Sequence, residues 1–216
     1  MKKSLILAAG LAFCQLSYGQ ISKGALYVTG FGSVQGSGGE TSISNNGNTF
    51  SSEHNRTFNG SFGLGAGYFL NDNIAAGASL NFMGSKVTPA DTSDPVEKSS
   101  GFGIGLFGRY YVPLGESFYF HGQLGLNFDN SSSYSEKNGV VTDDPRITTI
   151  GLGIRPGFTY FPTKKIGLDV MFGNLGWSRT SSYQEIGTAT QRGYDNNFMA
   201  NFNLTNVTFG VQYFLF

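Results

Sequence analysis

The sequence is short of charge: 13% of its 216 residues are Asp, Glu, Lys or Arg, against about 25% in an ordinary soluble domain. Its 14 basic and 14 acidic side chains cancel. That leaves no basic surplus to hold a phosphate backbone, which argues against nucleic acid as a partner. Cysteine occurs once, as Cys14, and histidine twice, as His54 and His121. Few residues are therefore available for a metal centre or a histidine-based catalytic set. Beyond the N-terminal leader no stretch approaches the ~18 apolar residues of a transmembrane helix. What the chain does have is glycine, 32 residues, and aromatic rings, with 20 Phe and 11 Tyr beside one Trp. Glycine is about twice its usual share, and a disordered chain would lack those rings.

The leader, "MKKSLILAAGLAFCQLSYG", starts with Lys2 and Lys3, continues through an apolar run from Leu5 to Phe13, and carries Ser17 and Gly19 as small residues two apart. The run is too short to span a bilayer. It predicts a secretory signal peptide over 1–19, cleaved after Gly19. Cys14 would suit a lipoprotein signal, but Phe13 stands where such a signal needs a small residue. Once the leader is removed the mature chain, residues 20–216, has no cysteine, which excludes disulfides and thiolate metal sites.

The string "GIGLFG", Gly103 to Gly108, fits the G-x-G-x-x-G template of a dinucleotide-binding turn. That template works only where a helix follows to present its N-terminal amides. Here "RYYVPLGESFYF" follows, with Pro113 placed to stop a helix within two turns. The glycines belong to a different pattern. From Phe58 the even positions Phe62, Leu64, Tyr68 and Leu70 are large, while the odd positions Ser61, Gly63, Gly65 and Gly67 are small. This is the two-residue period of a strand. The same parity runs through Ile74–Met83, Gly101–Val112, Phe118–Asp129, Thr149–Tyr160 and Ile166–Gly173. The last segment changes phase between Leu204 and Val207, which predicts a bulge near Asn206. A first strand from Gly24 has a mixed phase. Eight strands result.

Their connections alternate. Turns at "NDN", "PLGES" and "PTKK" are short, whereas the stretches Ser37–Arg56, Val87–Lys98, Ser131–Pro145 and Ser178–Asn196 are long and polar. Large apolar residues share one face of every strand, too many for the interior of an eight-stranded barrel. Turned outward they meet lipid, and a closed wall satisfies the backbone groups that hydrocarbon cannot. Rings next to the short turns, among them Phe69, Tyr110, Tyr111, Phe118, Phe161 and Phe214, then read as an interfacial girdle. The expectation is all-β: an eight-stranded antiparallel up-and-down transmembrane β-barrel preceded by a cleaved signal peptide.

The leader, the alternating strands, turns such as "YFLNDNIAAG" and the terminal "FGVQYFLF" together resemble the small outer-membrane β-barrel family of OmpA and OmpX type. The resemblance covers the mature chain. It implies a cell outer membrane location in a Gram-negative envelope, with short turns and termini in the periplasm and long loops outside the cell. It also implies an assembly signal, carried here by Val211, Tyr213 and Phe216, that the outer-membrane insertion machinery reads. The expected partners are that machinery, outer-membrane lipid and an extracellular ligand of the loops, and the barrel is expected to act as a monomer without cofactors.

By parity Arg109, His121, Arg155, Asp169 and Asp129 point into the lumen. A charge there needs a partner, since an isolated one costs several kcal/mol. Pairing of Arg109 and Arg155 with Asp169 is expected to close the lumen with a polar plug. The acidic pairs Asp91 and Asp94, and Asp143 and Asp144, could hold Ca²⁺ weakly, although such residues more often shape a turn. No catalytic triad or metal spacing is present, so the chain is read as not an enzyme. Two functions remain in view: surface interaction, adhesion or envelope integrity through the long loops, and a narrow porin-like channel. Glycines facing inward favour the second, because they leave room for water.

Overall fold

The computed structural model describes residues 21–45, 48–91, 93–137, 139–143, 145–186, 189–202 and 207–215. The signal peptide expected over 1–19, the bulge expected near Asn206 and the terminal Phe216 lie outside the described residues. Among the described residues all regular structure is strand. In chain order the strands are β1 (Leu26–Ser37), β2 (Glu40–Asn45), β3 (Asn48–Glu53), β4 (Arg56–Phe69), β5 (Ile74–Thr88) and β6 (Val96–Pro113). There follow β7 (Phe118–Lys137), β8 (Val140–Asp143), β9 (Arg146–Tyr160), β10 (Ile166–Met171), β11 (Asn174–Ile186), β12 (Ala189–Asn201) and β13 (Thr208–Leu215).

Every neighbouring pair is antiparallel, and the pairing runs β1, β4, β5, β6, β7, β9, β10, β13 and back to β1. Around the short-turn end the wall therefore has eight strands and no free edge. Alternation sorts the side chains as the two-residue period requires: Leu106 is 62% exposed, while Tyr111 on the same strand is fully buried. The exposed apolar face continues around the wall through Phe62, Leu80, Phe102, Leu126, Leu152 and Phe209.

Four features depart from expectation. The mixed phase of β1 resolves with odd residues inward. Tyr27 and Thr29 are buried, and Leu26 and Val28 are exposed, so this strand carries large residues on both faces. Secondly, the rings beside the short turns are not a single girdle. Tyr68, Tyr110, Phe118 and Tyr213 face outward, but Phe69, Tyr111, Phe161 and Phe214 are buried with Tyr27 inside the barrel. Phe214 stacks on Tyr27 with centroids 5.3 Å apart and meets Phe161 edge-on at 5.3 Å, and Phe69 stands 5.3 Å from Tyr111. The apolar core sits at this end of the molecule.

Thirdly, the long polar stretches are mostly strand. β2 pairs with β3, β8 folds back on β7, and β11 and β12 pair from Asn174↔Asn201 to Ile186↔Ala189. Ser, Thr and Asn ladders thus carry the wall beyond the apolar band as hairpins. Finally, the seventh wall strand is broken between β10 and β11. Against β9 the pairing passes from Met171↔Gly157 to Leu175↔Ile154, so three residues oppose Arg155 and Pro156. Proline has no N–H for the ladder. Here Phe172 N–H donates to Pro156 O at 3.1 Å, and Gly173 adopts φ 67°, a left-handed bulge that suits glycine. The bulge reverses the phase, with Asp169 and Met171 inward before it and Leu175 and Trp177 outward after it.

Candidate functional site

Inward glycines and inward rings face one another across the strands. Tyr27 is opposite Gly67, Phe31 opposite Gly63, Phe107 opposite Gly77 and His121 opposite Gly157. A Cβ at any of these glycines would run into the facing ring. The room left by the glycines is therefore filled at these positions by aromatic side chains. In "GIGLFG" the same relation holds for polar partners: Gly103 faces Asp129 and Gly105 faces Asn127, whose Oδ1 would lie 2.6 Å from an added Cβ.

Directly above the ring cluster lies a buried polar layer. Its centre is Asp169 on β10. Its Oδ1 accepts from Arg109 Nη1 at 3.2 Å and from Thr159 Oγ1 at 2.6 Å, and lies 2.8 Å from His121 Nε2. Arg109 also donates through Nη2 and Nε to Gln123 Oε1, at 2.6 and 3.1 Å, and through Nη1 to Tyr111 Oη at 3.1 Å. Arg109 and Asp169 each keep only 3% of their side-chain surface. An ion pair so far from water holds only with the remaining donors satisfied, as the amide, phenol and hydroxyl partners do here.

Of the five lumen residues singled out from the sequence, Arg109, His121 and Asp169 are brought together. Arg155 is not. Among the described residues it makes no ion pair with Asp169, and its Nη2 donates instead to Thr208 Oγ1 on β13 at 2.7 Å. The physical reason is the bulge, because Arg155 sits opposite Phe172–Asn174 while Asp169 lies beyond it in the ladder with Thr159. Sequence reasoning did not place Tyr111, Gln123, Thr159 and Thr208 in this polar network. The first three share the odd parity of Arg109 and could have been found from it.

Above this layer is a cavity of about 370 Å³ whose lining includes Asn81, Gln123, Asn127, Asp129, Arg155 and Asn174. Asp129 is half-buried, as its inward parity predicts. Of the residues read as the assembly signal, Val211 and Tyr213 face outward and are exposed. Elsewhere, Asp91 accepts the Ser93 N–H at 2.8 Å, and that bond holds its carboxyl below the ordinary value. Asp94 donates its N–H to Asp91 O at 3.1 Å, so the pair shapes a turn. Asp144 lies outside the described residues. Among the described residues no group of three His, Cys, Asp or Glu could hold a metal ion. His54 is exposed and stands 3.5 Å from Thr41 Oγ1.

A wall that is oily outside, polar within and free of edges around one end defines a barrel that sits in lipid. The chain belongs to the family described as "Outer membrane protein beta-barrel domain", which it matches over residues 5–214. It is an outer-membrane protein. Its fold is similar to that of the outer membrane protein OprG from Pseudomonas aeruginosa, at 15% identity and a TM-score of 0.52, over 90% of this chain and 97% of that one. Neisserial surface protein A matches at 18% identity and TM-score 0.45 over 88% and 99% of the two chains. Ail, the attachment invasion locus protein of Yersinia pestis, matches at 13% and 0.40 over 89% and 99%. A comparison with curated protein sequences gives no match.

Proposed function

We propose that this is a non-enzymatic outer-membrane barrel whose work is done at its outer rim, in surface interaction, adhesion or envelope integrity. The observation that carries this reading is the contrast between a floor packed with five buried rings and long polar hairpins at the other end. In this reading the short turns face the periplasm, the barrel acts as a monomer and the insertion machinery grips the last strand through Val211, Tyr213 and Phe216. The lumen residues Arg109, His121, Arg155 and Asp169 have a structural rather than a catalytic role. Protease shaving of the rim on intact cells should abolish surface binding while leaving a folded, membrane-embedded core; binding that survives complete shaving would exclude the rim.

A narrow channel is the second reading, favoured by the cavity of about 370 Å³ whose lining includes Asn81, Asn127, Asp129 and Arg155. Planar-bilayer recording separates the two. The ring-packed floor predicts silence, and stable openings from the unaltered protein would favour the channel.

A further inference from the structure

The lumen segregates its charge along the barrel axis. At the floor stand two guanidinium groups, Arg109 and Arg155, and one carboxylate, Asp169. That carboxylate already serves Arg109, His121 and Thr159 through a single oxygen. The groups around Arg155 are Gln123 from β7, Arg109 from β6, Asp169 from β10, Asn174 from β11 and Thr208 from β13. Among the described residues only Thr208 hydrogen-bonds Arg155 and no carboxylate pairs with it; Asp169 acts on it only through space. The other acid of the cavity, Asp129, is opposite Thr149, six residues along β7 from the Gln123 that faces Arg155, or about 20 Å of strand. A guanidinium walled in by lipid-facing strands gains strongly from a counter-charge.

We propose that the floor of this cavity binds a small monovalent anion, a carboxylate or a halide. It enters from the outer rim, through the cavity that Phe31 and Phe107 also line, and is held by Arg155. Arg155 offers the ion its free N–H groups, Asn174 stands across the bulge as a neutral wall, and the aromatic floor stops the ion from passing through. The bulge at Gly173 creates the site by setting Arg155 out of reach of Asp169.

The test uses the full chain in detergent at neutral pH and constant ionic strength, with sodium gluconate replaced stepwise by sodium bromide or sodium acetate. The unfolding temperature should rise saturably with either small anion, and acetate should displace bromide in bromine NMR line broadening. A stronger response to acetate marks a carboxylate site and the reverse a halide site. Arg155→Gln should weaken the response at least about tenfold, the cost of one lost charged hydrogen bond. Thr208→Asp, which supplies an internal carboxylate beside Arg155, should raise the unfolding temperature in gluconate and abolish the response. An unaltered protein without a saturable rise or without displaceable bromide overturns the proposal. So does an undiminished response in either variant; if both fail to fold, bromide displacement on the unaltered protein decides.

Discussion

The two ends of this barrel solve the problem of a narrow interior differently. At the short-turn end β13 closes on β1, five rings fill the bore, and the charges above them are bonded to one another. Toward the outer rim, β12 pairs with β11 alone and Ser33–Ser37 of β1 pair with β4 alone among the described residues. There amides and hydroxyls such as Asn81, Asn127, Ser61 and Ser79 share the lining of an open cavity with Phe31, Met83 and Phe107. One end is built like a protein core, where rings fill the bore and Arg109 and Asp169 are bonded to each other; the other is a vestibule around a cavity of about 370 Å³. Resistance to change should therefore fall steeply along the axis.

The sharpest way to break this contrast is Asp169→Ala. It strands Arg109 without its carboxylate, at a cost of about 3–5 kcal/mol, and should give the largest fall in unfolding temperature in detergent. An unchanged temperature would mean that the pair does not hold the floor. Phe69→Ala should follow at about 3–5 kcal/mol or somewhat less, because neighbouring rings can partly collapse into the gap. It also opens the floor, so bilayer recording should find conductance that the unaltered protein lacks. Gly77→Ala comes next, at about 1–3 kcal/mol, since its Cβ would strike the Phe107 ring and the Ala66 carbonyl. Gly108→Ala, with open space around the added carbon, should leave stability nearly unmoved. A equal effect of the two would refute the ring seats. Smallest of all is Lys98→Ala on the outer extension, which breaks a half-exposed 2.9 Å pair with Glu136 and should not resolvably shift unfolding.

The same gradient governs how much could be read from residues alone. Strict alternation gave the wall strands β4 to β7 and the inward set Arg109, His121 and Asp169, because there one face is uniformly large and the other small. It failed in β1, where Tyr27 and Phe31 are as bulky as the outward Leu26 and Val28, so size no longer marks the face. The girdle reading misplaced Phe69, Tyr111, Phe161 and Phe214: a ring beside a turn suits a lipid boundary or a core equally well, and only closure of the wall decides. The bulge at Gly173 was hidden by the abundance of glycine, and with it went the true partner of Arg155. The polar hairpins read as loops since Ser, Thr and Asn favour turns, whereas their backbones continue the ladder.

Phe214 has a consequence for how the molecule is made. Its ring touches those of Tyr27, Phe69 and Phe161, which arrive on the first wall strand, the second, and the turn after β9. Until the last strand docks against the first, the bore stays unstoppered and three rings lack their keystone. Circularisation and sealing are thus one event, and a nascent cylinder with its clasp undone is also a leaky one. An envelope that must hold its contents while new barrels are threaded into it gains a safeguard from that coincidence.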